Sequence, residues 1–146
     1  MSVGTTTPFL SGAYFDVELS SGEKSLVGRF TSVSGLGMEV EYETVYEGGL
    51  QHPRLFFKGL KPQVLVLEQG VVTDEEDVVA DLMQRSAEGA SVPLSGTITL
   101  RDNLGNPQRS WQFAGAVLQK YAGPELNSNT PALAISRMEL LYYGCY

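Results

Sequence analysis

The segment Met38-Glu-Val-Glu-Tyr-Glu-Thr44 alternates without a break: Met38, Val40 and Tyr42 fall on one side, Glu39, Glu41 and Glu43 on the other. Side chains of an extended chain point to opposite faces in turn, so a period of two defines a half-buried strand with one dry face and one wet face. Gly48-Gly49 interrupts the pattern. Arg54-Leu-Phe-Phe57 and Val64-Leu-Val-Leu67 supply two more strand segments, with Pro53 and Pro62 at their margins, where a missing N–H does least harm.

The flanking sequence is of the same kind. Tyr14 to Leu19 carries Phe15, Val17 and Leu19 on one face, Ser20 to Glu23 reads as a turn, and Leu26 to Val33 returns as a second strand. Leu94 to Arg101 and Ser110 to Leu118 alternate around a loop dense in turn residues, Asp102 to Pro107, and so predict a long hairpin. Gly123 to Pro131 reads as a further loop and Leu133 to Tyr143 as a closing strand. A single helix stands out. Thr73 and Glu76 have capping-box spacing, Asp74 to Asp77 load the first turn with negative charge, and Val78, Val79, Leu82 and Met83 form an apolar stripe that ends at Gly89. Many strands with one helix predict a mainly β chain, a barrel-like or sandwich core with the helix packed on it. Residues 1–12 are small and polar and read as a mobile arm, leaving 13–146 as one domain. A chain of this length buries roughly 70% of its unfolded surface and needs no disulfide or metal staple.

Composition narrows the function. Seventeen acidic against ten basic side chains give a net charge of −7, and the cations are scattered. Duplex binding relies on a basic face, which this sequence lacks. No segment approaches the ~20 apolar residues of a membrane span, so no membrane anchor is expected. The N-terminal segment lacks the basic and apolar regions of a signal peptide, which implies synthesis in the cytoplasm.

Chemistry is scarce. The one histidine, His52, lies in the irregular stretch between Gly49 and Pro53 and reads as a solvated loop residue. Cys145, the one cysteine, stands beside the C-terminal residue, on an end expected to be loose, and reads as a passenger rather than a nucleophile. Glu39, Glu41 and Glu43 read as a wet strand face rather than a metal site, and Asp74 to Asp77 lack the glycine bend and distal glutamate of a calcium loop. Gly35-Leu-Gly37 is only part of a dinucleotide fingerprint and precedes a strand. No catalytic residues, cofactor or metal ligands are assigned, and the chain does not read as an enzyme.

Two features point to assembly. An alternating strand with a charged face needs a place for that face, and no lysine or arginine occurs between Arg29 and Arg54 while Glu39, Glu41, Glu43 and Glu47 all do. Closed into a ring with this strand inward, copies would enclose an acidic bore that repels anionic cargo. A solvated edge strand defended by charge explains the same residues equally well.

The order of these pieces resembles the tail tube proteins of contractile phages and extracellular contractile injection systems. The resemblance is carried by Phe30-Thr-Ser-Val-Ser-Gly-Leu36, Met38 to Tyr42, Tyr46-Glu-Gly-Gly49, Phe57-Lys-Gly-Leu-Lys61, Val64 to Gly70, the acidic helix and the C-terminal hairpin, from about Phe9 to Tyr143. It implies hexameric rings stacked into a hollow virion or particle tube, and contacts with a contractile sheath, a baseplate and tail-terminator proteins. Cargo or DNA would pass through the lumen without specific binding. It also implies an extended hairpin, Met38 to Tyr46 with Arg54 to Leu67, that joins neighbouring subunits. Phe30, Gly35, Leu36, Met38, Val40, Tyr42 and Tyr46 are then expected at the subunit interface, and Glu39, Glu41 and Glu43 toward the lumen. The chain departs from the family at Glu68-Gln69, where a basic pair is common, and at Leu82-Met83, where a tryptophan is common; a baseplate-proximal initiator ring is the alternative. From a different class, a monomeric barrel binding a small ligand would use Tyr42, Phe56, Trp111 and Phe113 as its pocket.

Overall fold

The computed structural model describes residues 12–49, 51–74, 77–123 and 132–146. The expected arm, apart from Gly12, and most of the loop expected over 123–131 lie outside them. Eight strands and one helix occur among the described residues: β1 (Tyr14–Ser21), β2 (Lys24–Ser34), β3 (Glu39–Val45), β4 (Arg54–Lys61), β5 (Gln63–Thr73), α1 (Val78–Ala87), β6 (Leu94–Arg101), β7 (Pro107–Ala122) and β8 (Ala132–Tyr142). Six strands close into an antiparallel barrel in the order β1-β2-β5-β8-β7-β6, and β3 and β4 form a separate two-stranded ribbon. The mainly β class with a barrel-like core is therefore observed.

Closure follows from the alternation. Phe15, Val17 and Leu19 of β1 point inward, opposite Phe30, Gly28 and Leu26 of β2 on one side and Leu100, Ile98 and Gly96 of β6 on the other. Leu65, Leu67 and Val72 of β5, Phe113 and Ala116 of β7, and Ile135, Met138 and Leu140 of β8 complete one continuous apolar core. The inward phase of β2 and β5 slips midway, from Phe30 to Val33 and from Leu67 to Gly70. Gln69 absorbs the slip by adopting the left-handed conformation (φ 52°), and Thr31 Oγ1 donates to Gln69 Oε1 at 3.2 Å. The pairings of β5 with β2 and with β8 keep one register through this point, so both halves of the strand face inward without an inserted residue. Beside Gln69, Gly70 lies under the ring of Phe30, where a Cβ would overlap the aromatic carbons.

Strand directions alternate around the barrel, so β5 ends and β6 begins at one rim, and α1 bridges that rim with Val78, Val79 and Leu82 buried in the core. The helix is shorter than its sequence pattern and is capped differently. Thr73 is the last residue of β5, and the Asp74 carboxylate accepts the N–H groups of Val78 at 2.7 Å and Val79 at 2.9 Å. An anion on two free N–H groups of a first turn does the work expected of the capping box. Glu76 lies outside the described residues. Met83 is turned to solvent rather than to the core, because Leu82 already fills the inward position of that turn. Gly89 (φ 86°) ends the segment as expected, donating to the Ser86 carbonyl at 3.1 Å.

Candidate assembly surface

β2 and β5 are neighbours in the barrel, so β3 and β4 amount to an extension of one long hairpin beyond the rim opposite α1. Two breaks separate the extension from the wall. On the outgoing leg, Gly35 has φ 82°, and a Cβ there would overlap the Val64 carbonyl oxygen. On the return leg, Pro62 stands between β4 and β5 and offers no N–H to a ladder. The chain between β2 and β3 bends here, and Gly35 is the residue that the close approach to Val64 requires.

The register sorts the ribbon into two faces. Val40 lies opposite Leu60, Tyr42 opposite Phe57 and Thr44 opposite Leu55. Glu39 lies opposite Lys61, Glu41 opposite Gly59, Glu43 opposite Phe56 and Val45 opposite Arg54, with Lys58 the extra residue of a bulge between the two halves. Cross-strand partners share a face. One face is thus apolar and aromatic, the other mostly charged. The alternation predicts a half-buried strand, yet within the chain the dry face is uncovered: Tyr42 is 57% exposed, Leu55 65% and Phe57 67%. Tyr46, just past β3, is 81% exposed.

Charge is divided by strand as well as by face. β3 contributes Glu39, Glu41 and Glu43 and no cation, whereas β4 contributes Arg54, Lys58 and Lys61 and no acid. Lys61 Nζ lies 3.1 Å from Glu39 and 3.8 Å from Glu41, and Arg54 lies 3.7 Å from Glu47. The hydrogen bond that Lys61 donates to Glu39, followed by the charges of Glu39 and Glu41, pushes Lys61 above the ordinary lysine value. Glu43 enters no ion pair among the described residues, and neither does Lys58.

The predicted interface residues do not all come together. Met38, Val40, Tyr42 and Tyr46 belong to the ribbon or its root. Leu36 is half-buried against the barrel core. Phe30 is fully enclosed in that core and presents no surface to a second copy, because its strand face is the inner wall of the barrel. Leu55 and Phe57 were not among the expected interface residues, but they lie in the extended hairpin expected from Met38 to Tyr46 with Arg54 to Leu67; its return leg ends at Lys61, and Val64 to Leu67 belong to the barrel wall instead.

The ligand pocket expected from Tyr42, Phe56, Trp111 and Phe113 is not formed. Tyr42 and Phe56 stand on opposite faces of the ribbon, Phe113 is in the barrel core and Trp111 is half-buried under Arg109. Cys145, expected on a loose end, is buried: its N–H donates to the Gly37 carbonyl at 3.1 Å, and Tyr146 exchanges two backbone hydrogen bonds with Gln112. His52 is exposed at the ribbon tip, as expected. No group of three or more metal-ligating side chains occurs among the described residues, and no helix among them is long and apolar enough to cross a membrane.

A closed barrel thus extends an amphipathic ribbon whose aromatic face is exposed among the described residues. The particular class comes from comparison: the family model of the T4-like virus tail tube protein gp19 matches residues 11–145, and the chain belongs to that family of structural tube proteins. Its fold is similar to a chain in the 6-fold symmetrised baseplate of the anti-feeding prophage, with a TM-score of 0.61, 16% identity, and coverage of 100% of this chain and 96% of that one. It is also similar to a chain of the sheath-tube complex of the extracellular contractile injection system PVC in the extended state, with a TM-score of 0.57, 16% identity, and coverage of 95% and 90%. A third similar chain, from the cap that terminates the anti-feeding prophage tube, has a TM-score of 0.55 and 14% identity, covering 100% and 94%. A sequence comparison with curated proteins gives no match. The chain is accordingly a structural component of a tail-tube type of particle.

Proposed function

We propose that this protein is the non-enzymatic, repeating subunit of the inner tube of a contractile tail or injection particle. It closes into hexameric rings that stack into a hollow conduit for cargo or DNA. One observation carries the reading: the β3–β4 ribbon leaves the barrel with an apolar face and, among the described residues, no third strand. A two-stranded ribbon is marginal in water, and three strands or a packed face are needed for stability. Covering Tyr42, Leu55 and Phe57 contributes roughly 1 to 2 kcal/mol for each side chain, which a second copy supplies.

In this reading Met38, Val40, Tyr42 and Tyr46 meet neighbouring copies, and Gly35 and Leu36 set the ribbon root. The opposite face, with Glu39, Glu41 and Glu43, lines the bore, where its charge keeps anionic cargo from adhering. The acidic β3 and basic β4 favour contact of β3 with a neighbour's β4 over like-with-like pairing, and such head-to-tail contacts close into rings. Sheath, baseplate and terminator proteins are the partners, and the subunit made in the cytoplasm ends up in the assembled particle.

Negative-stain electron microscopy of the purified protein, alone and co-expressed with the genes beside its own, tests this. Annular particles or stacked tubes with a central hole are the expected result. Single rings that never stack would assign the initiator ring instead, and monomers under both conditions would overturn the proposal.

A further inference from the structure

We propose that Tyr142 is the positioning residue of the ribbon, tying both of its legs to the last strand of the barrel so that every copy presents the ribbon at one angle. The backbone of Tyr142 pairs opposite Gln63, the first residue after Pro62 on the return leg. Its hydroxyl donates to the Gly35 carbonyl at 2.7 Å on the outgoing leg. The side chain itself is held, 1% exposed and edge-on to Phe113 with ring centroids 5.7 Å apart. Tyr142 therefore touches both legs from a fixed point in the core.

The residues that follow extend the tie. Gly144, at φ 121°, passes so close to Gly37 and Met38 that a Cβ would stand 2.9 Å from the Gly37 oxygen and from the Met38 Cβ. Cys145 N–H bonds to Gly37 at 3.1 Å, and Tyr146 fastens the segment to β7 through Gln112 at 2.8 and 3.1 Å. Without these contacts the ribbon would hang on two short legs, one of them containing Gly35 and Gly37. A ring closes only when each interface repeats the same rotation, and ordering a swinging element on binding costs affinity. The inference rests on the proposed assembly, but the angle of the ribbon is measurable without it.

The test places spin labels at the ribbon tip and on the barrel wall, His52→Cys and Ser95→Cys, and measures the distance distribution in the otherwise intact chain by pulsed electron paramagnetic resonance. Tyr142→Phe keeps the ring and removes only the hydroxyl. A second variant lacking Gly144 to Tyr146 removes the rest of the tie. The expected result is a broadened distribution in both variants, with barrel melting temperature within a few degrees of the parent. Assembly should fall by about fivefold to tenfold in Tyr142→Phe, in line with the loss of one hydrogen bond. An unchanged distribution in both variants overturns the proposal, as does a broadened one with undiminished ring formation. A parent that forms no rings overturns the proposed function instead, and the distance distribution still decides whether Tyr142 sets the angle.

Discussion

Strands β1 and β3 carry the same alternating pattern and meet opposite ends. In β1 the dry face of Phe15, Val17 and Leu19 is at most 3% exposed, because β2 and β6 flank the strand and the barrel closes over its inner side. In β3 the dry face has one partner strand among the described residues: Val40, near the root, is half-buried and Tyr42 is 57% exposed. Periodicity therefore reports that a face is to be buried and is silent on whether the same chain buries it. The barrel satisfies its own core, while the ribbon, in the proposed assembly, is completed by a second copy.

The two regions meet at Gly35, and the largest effect is expected there. Gly35→Val places a branched side chain at φ 82° and against the Val64 carbonyl. A left-handed non-glycine residue costs roughly 1 to 2 kcal/mol before any steric overlap, and relieving the overlap shifts β2 from β5. A loss of several kcal/mol is expected, lowering the melting temperature by about 10 °C or more. Calorimetry with the parent alongside checks it; an unaltered melt would mean that the joint is plastic and that barrel and ribbon are not rigidly linked.

Substitutions on the ribbon face should separate folding from assembly. Phe57→Ser alters an exposed side chain and Val40→Lys a half-buried one on the same ribbon face, so the monomer should melt within about 0.5 kcal/mol of the parent for the first and about 1 kcal/mol for the second. Ring and tube formation should be lost, because a lysine or an unfilled contact enters a buried seam. The decisive readout is the pairing of a thermal melt with sedimentation velocity. Falling stability without loss of assembly would put the ribbon in the chain's own core and erase the contrast with β1.

How much of this contrast was legible depended on range. The barrel strands, the β6–β7 hairpin and the β3 alternation are local patterns and are found in the expected order, although β5 runs on to Thr73 and β7 spans Pro107–Ala122, beyond the segments that alternation marks. Three features were not legible, and each depends on distant partners. The left-handed Gln69, at which the inward phase of β5 changes, answers to Thr31 on another strand. Which face of the expected hairpin Leu55 and Phe57 take is fixed only by their pairing with β3. Cys145 looks loose until its N–H is followed to Gly37, 108 residues away. The aromatic sequence Tyr142-Tyr-Gly-Cys-Tyr146 was the available signal that this end packs, since such residues seldom form solvated tails.

A smaller effect probes the barrel on its own terms. Asp74→Ala removes the acceptor for the Val78 and Val79 N–H groups. Loss of a helix cap costs about 1 kcal/mol, so the melting temperature should fall by roughly 2 to 4 °C with assembly intact. If rings were lost in that variant, the α1 rim would also belong to an interface, and the division of labour between barrel and ribbon would need redrawing.

The smallest effect is expected where charge alone changes. Glu39→Gln with Glu41→Gln removes both carboxylate partners of Lys61, yet the pairs are exposed and such pairs contribute little. Lys61 is raised above its ordinary value by those carboxylates, so their contribution is fully present below the unfolded lysine value and fades only as pH rises through the higher folded one. At neutral pH the double variant should therefore melt with its parent and form the same tubes. Its bore would be less negative, and in the proposed arrangement a fluorescent polyanion should be retained more strongly by variant tubes than by parental ones. Equal retention would remove these glutamates from the lumen, and failure to assemble would place them in the seam with Tyr42 and Phe57.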